Sequence, residues 1–187
     1  MTGEEHPDGS RSLSRRQQRR LDGSRGQQDA FVRYFKERVY ATFTGLAIVL
    51  VVSAGEHAEP DHAFFALVLG VIGITAAGFV SDVVSHLAVH QELPSRAEFA
   101  VLLRVAGGAL STMVVPGILL LLAWFDLMEL ATSLRISSIV YIATLGVIGW
   151  VAVRRARLSW GQKLLALGIL LALGLLVIAL QTLAHSI

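Results

Sequence analysis

Apolar residues run in long, nearly unbroken stretches along this chain, and most charged residues fall between the stretches. A helix needs about 20 consecutive apolar residues to cross a hydrocarbon core of roughly 30 Å. Five segments approach or reach that length: 39–55, 63–83, 99–124 (interrupted by Arg104), 136–153 and 164–183. The runs are continuous and do not alternate with a period of two, which predicts helices and excludes the strands of a membrane barrel. The expected fold class is all-α: a polytopic membrane protein built as a bundle of five transmembrane helices.

The pattern changes ahead of the first run. Residues 1–28 are rich in Gly, Ser, Gln and Arg, with Leu13 and Leu21 among their few large apolar side chains. Such a segment cannot bury enough surface to offset its ordering entropy, so it is expected to be a disordered basic arm. From Asp29 onward Phe31, Val32, Tyr34, Phe35 and Val39 recur three and four apart, with Arg33, Lys36, Glu37 and Arg38 between them. That spacing predicts a short amphipathic interfacial helix over 29–38, leading into the membrane domain at 39–187.

Composition supports the division. Of the 187 residues, 54% are hydrophobic and 16% charged, against about 25% charged in soluble domains. Residues 1–38 hold 9 of the 16 basic residues, leaving 15 charges for the other 149 positions. This excludes an ordinary globular enzyme and a nucleic-acid module. The absence of cysteine removes thiolate metal sites, Fe–S clusters and thiol catalysis.

Charge also orients the bundle, because short loops on the cytoplasmic side collect Lys and Arg. With the N-terminus inside, 14 of the 16 basic residues lie in the inner segments, and the outer segments carry only Arg135. The outer loops instead hold Glu56, Glu59, Asp61, Asp126 and Glu129. The C-terminus is then external. Trp124, Trp150 and Trp160 fall near span ends, at headgroup level. An alternative makes residues 41–52 a secretory signal with Ser53-Ala54-Gly55 as its cleavage site, but the basic leader is unusually long for one.

One constellation has the residue types for chemistry. Asp82, His86 and His90 recur at i, i+4 and i+8, along one helical face. A carboxylate and two imidazoles so placed could bind a divalent metal or relay protons. If the next turn is centred near Leu93-Pro94, Arg104 comes level with Asp82 as an ion-pair partner, and Glu98 comes within reach of His86. Counting residues places these groups at the inner headgroup boundary, where an interfacial salt bridge and wet histidines explain them equally well. The residue before His86 is Ser85, so the His-Glu-x-x-His of a metalloprotease is absent. The loop bearing Glu56, His57, Asp61 and His62 is a second candidate that could attract cations from outside, or be a plain solvated acidic loop.

The span interiors carry small and hydroxylic residues: Gly70, Gly73 and Ala77 in the second, Gly107, Gly108, Ser111 and Thr112 in the third, Gly146 and Gly149 in the fourth. Small residues four apart, such as Gly107 and Ser111, predict close helix packing or a Gly/Ser-rich face for a homo-oligomer. Pro116 predicts a kink in the third span with a freed carbonyl at Thr112. The motif Leu-Gly-Val-Ile-Gly at 69–73 and 145–149 hints at a duplicated hairpin, although so restricted an alphabet produces such repeats by chance.

With no P-loop and no Gly-x-Ser-x-Gly, the expectation is a non-enzymatic protein of a prokaryotic-type cytoplasmic membrane, supported there by 14 Arg against 2 Lys. It would act as a small scaffold or accessory subunit through its basic cytoplasmic face. Arg11, Arg15, Arg16, Arg19, Arg20 and Arg25 would meet anionic inner-leaflet lipids or a protein partner. No cofactor and no nucleic acid is expected. The alternative is a small cation or metal transporter, or metal sensor, with a divalent metal at Asp82, His86, His90 and Glu98 and Arg104 as counter-ion.

Overall fold

The computed structural model describes residues 15–55, 58–155, 161–162, 165 and 168. The described chain is all-helical, and four of its helical segments are long and apolar enough to cross a membrane: Ala30–Ala54, Pro60–His90, Arg96–Trp124 and Leu130–Arg154. A multi-pass membrane bundle follows. The expected fifth span at 164–183 lies almost wholly outside the described residues, as do Arg11, Glu56 and His57.

Helix α1 (Arg15–Ala54) is a single helix of 40 residues. The segment 15–28, expected to be disordered, is helical, and 29–38 leads into the first span without a break. The difference has a physical reason. Extending an existing helix adds one hydrogen bond per residue without a new nucleus, and this stretch contains no proline to stop it. Helix α2 (Pro60–His90) starts with proline in its first turn, where the missing N–H costs nothing, and ends at Gln91 in the left-handed region (φ 56°).

The third span is broken. Helix α3 (Arg96–Leu110) passes through a 3₁₀ turn at Ser111–Met113 into α4 (Val114–Trp124). Pro116 has no N–H for the carbonyl four residues back, at Thr112, so the ladder is interrupted there. The hydroxyls of Ser111 and Thr112 donate to the carbonyls of Gly108 (2.7 Å) and Ala109 (2.7 Å), backing the last turn of α3. A tight turn with Asp126 at φ 57° leads into α5 (Leu130–Arg155).

Helix α1 is central and packs against α2, α3 and α5, while α4 packs against α2 and α5. The contact points are close approaches at glycine: Ile48 lies over Gly70, Tyr34 over Gly108 and the Tyr141 ring over Gly45. A Cβ at any of these would strike the partner side chain. Gly107 and Ser111, expected to share a close-packing or oligomer face, are both exposed, and the space at Gly107 is open. The core comprises Leu46, Val49, Leu67, Val71, Ala109, Leu120, Leu134 and Tyr141. Outside it, Leu69, Ile72, Val80, Ile118, Ile139, Ile142 and Val147 are exposed. Such a surface is untenable in water and ordinary beside lipid tails. Packing and close approach, rather than escape from solvent, therefore hold these helices together.

Candidate functional site

At the end of the bundle formed by the α2–α3 turn, polar groups converge from three helices. Helix α2 presents Ala63, Leu67, Val71 and Thr75 to the interior, and the same face continues through Gly78 to Asp82. Glu37 of α1 lies against Gly78, its carboxylate filling the space a Cβ would occupy. It is 5% exposed, although it belongs to the charged stretch Arg33–Arg38 at the start of the candidate span Ala30–Ala54. Its only ion-pair partner among the described residues is its neighbour Lys36, at 3.8 Å, and Asp82 lies within electrostatic reach. A buried carboxylate in an apolar span is costly, and such groups serve as interhelical glue or bind protons and ions.

One turn further along, the Arg38 guanidinium donates to the Tyr34 hydroxyl (2.8 Å) and lies 5.5 Å from that ring's centroid. Thr42 donates to the Arg38 carbonyl. Arg38 is thus held against α1 itself, with its Nε buried and lacking a hydrogen-bond partner.

Glu98 and the histidines form a separate group at the helix ends. His86 Nε2 stands 4.0 Å from Glu98 Oε2, and the His86 and His90 rings lie 4.5 Å apart. The same Glu98 oxygen accepts from the Ser95 backbone N–H (2.8 Å) and hydroxyl (2.7 Å), while the Glu98 N–H donates to Ser95 Oγ (3.4 Å). This is a capping box, and it commits Glu98 first to starting α3. Among the described residues no three His, Asp or Glu side chains are placed to hold a metal ion together.

The expected ion pair between Asp82 and Arg104 does not form: the ion pairs among the described residues are Lys36–Glu37 and His86–Glu98. Counting along two helices brought the residues level but could not give their rotation. The interior face of α3 is Leu102, Val105 and Ala109, which leaves Arg104 exposed, while Asp82 turns inward towards α1. At the other end, Asp61 accepts from the His62 backbone N–H (2.7 Å) within its own turn. Arg15, Arg16, Arg19, Arg20 and Arg25 lie on the first turns of α1.

Glu37, Tyr34 and Arg38 were expected only as members of the amphipathic segment and not as a polar site. The amphipathic pattern of 29–38 was legible, but not which residues face inward: Phe31 and Val32 are exposed beside Arg33 and Lys36, while Glu37 is buried. The available signal was that Glu37 shares a helical face with Ala41, Gly45 and Ile48. A second polar stripe, Ser133, Ser137 and Tyr141 of α5, is buried with its hydroxyls lacking hydrogen-bond partners. Comparison with known protein families, with curated proteins and with solved structures finds no match to this chain.

Proposed function

We propose that the chain is a non-enzymatic integral protein of the cytoplasmic membrane, a small scaffold or accessory subunit that acts through a basic cytoplasmic face. The observation that carries this reading is the length of α1. The described helix runs from Arg15, ahead of the candidate span Ala30–Ala54, so about 22 Å of described helix precedes that span. That extension holds Arg15, Arg16, Arg19, Arg20 and Arg25. It leaves the bundle at the same end as the α2–α3 turn, so with the N-terminus inside it projects from the inner leaflet. A cationic rod rigidly joined to a membrane anchor suits an acidic protein surface or anionic headgroups, at about 1 kcal/mol per basic residue near such a surface. The test compares wild type, a deletion of residues 2–26, and a variant with all five arginines changed to Gln, each reconstituted in vesicles with and without anionic lipid. Loss of partner or anionic-lipid association in both variants, with insertion retained, supports the reading. Unchanged association sinks it.

A cation-binding reading rests on the His86–Glu98 approach and the adjacent His90 ring. Titration of the purified protein with Zn²⁺ or Mn²⁺ decides it. Binding that His86→Ala/His90→Ala removes supports a metal site, and equal, negligible binding by both proteins eliminates it.

A further inference from the structure

At the bundle end remote from the α2–α3 turn, α1 and α5 border an open cleft of ≈ 480 Å³. This lies in the range of about 300–1,000 Å³ common for small-ligand sites. Val52 and Ser53 of α1 form one wall, and Leu134, Arg135, Ser138 and Ile139 of α5 form the other. Arg135 is exposed and has no ion pair among the described residues, which is anomalous at an end whose other charges are acidic. Two of the acids here are engaged locally, Glu129 accepting from the Thr132 hydroxyl (3.4 Å) and Asp61 from the His62 N–H, and no acid among the described residues pairs with Arg135. Below the guanidinium, Ile139, Ile142 and Gly146 continue the Arg135 face of α5 at helical spacing, all three exposed. The space at Gly146 is open. A cation at headgroup depth therefore tops an apolar track that runs into the span.

We propose that this cleft binds an anionic phospholipid, the Arg135 guanidinium gripping the phosphate and one acyl chain lying along Ile139, Ile142 and Gly146. A planar guanidinium pairs two N–H donors with two phosphate oxygens, and it does so most strongly where water is scarce. The Ser53 hydroxyl is a further donor on the facing wall. Ser138 donates to the Leu134 carbonyl (3.0 Å) and so contributes wall rather than a contact. The site is independent of the basic extension of α1, which lies at the other end of the bundle.

The experiment is native mass spectrometry of the full chain released from detergent, with phosphatidylglycerol and phosphatidylcholine offered in equal amounts. Phosphatidylglycerol should be retained preferentially, and Arg135→Gln should lower its retention about tenfold. Arg135→Lys should keep part of it, and Arg104→Gln, which removes an equally exposed cation that does not line the cleft, should keep all of it. Thermal unfolding of each variant confirms that it is folded. Undiminished retention by Arg135→Gln overturns the proposal. So does equal retention of the two lipids, or competition by soluble glycerol phosphate as effective as by the lipid.

Discussion

A carboxylate seated on a glycine joins α1 to α2, and it is sensitive to single atoms. Gly78→Val places methyl groups where the Glu37 carboxylate sits, and overpacking of this kind costs about 1–3 kcal/mol. Glu37→Ala in the Gly78→Val background should recover much of that loss, because the clash and the buried charge go together. Thermal unfolding in detergent of the two single variants and the double variant measures this coupling, and strictly additive penalties would rule it out. Tyr141 separates ring from hydroxyl. The ring packs on Gly45 while the hydroxyl has no hydrogen-bond partner. Tyr141→Phe should change stability by less than about 0.5 kcal/mol, whereas Tyr141→Ala should lose about 3–5 kcal/mol. Chemical unfolding of the two variants checks the contrast. Glu37 was not legible as a site, because a charged residue in an amphipathic segment reads as solvent-facing unless the solvent on its other side is known to be lipid.

The elements were legible where a local rule sets them. Ser95 and Glu98 form a capping box that starts α3 at Arg96, a local signal that the apolar run beginning at 99 did not carry. Ser95→Ala removes the hydroxyl that accepts from the Glu98 N–H and donates to its carboxylate and should cost about 1 kcal/mol. Thermal unfolding in detergent checks this, and an unchanged midpoint would show that the cap does not hold the start of α3. Pro116 likewise announced the interruption of the third span, which the structure places at Ser111–Met113. Helix length was less legible. Residues 15–28 lack the apolar surface that predicts order, yet they continue a helix whose nucleation cost is already met by Ala30–Ala54.

For the whole molecule, length and apolarity of the runs predicted a multi-pass bundle, and the four spanning segments among the described residues accord with it. Insertion with the N-terminus inside is testable because the chain has no cysteine. Ala97→Cys near the α2–α3 turn and Leu127→Cys in the α4–α5 turn each add one exposed thiol. With a membrane-impermeant reagent on intact cells, Leu127→Cys should label and Ala97→Cys should label only after permeabilisation. The reverse pattern would invert the proposed topology.

The sequence by itself determined that these helices exist and that their ends carry the charge, because a bilayer imposes length and apolarity on every span whatever it packs against. Only the tertiary structure decided which face of each helix looks inward. Lipid and protein interior are equally apolar, so hydropathy does not distinguish them, and rotation is set instead by where glycine lets a neighbour approach. Glu37 therefore turned in and Arg104 turned out, and the Asp82–Arg104 pair that register alone suggested gave way to a carboxylate held in the notch of Gly78.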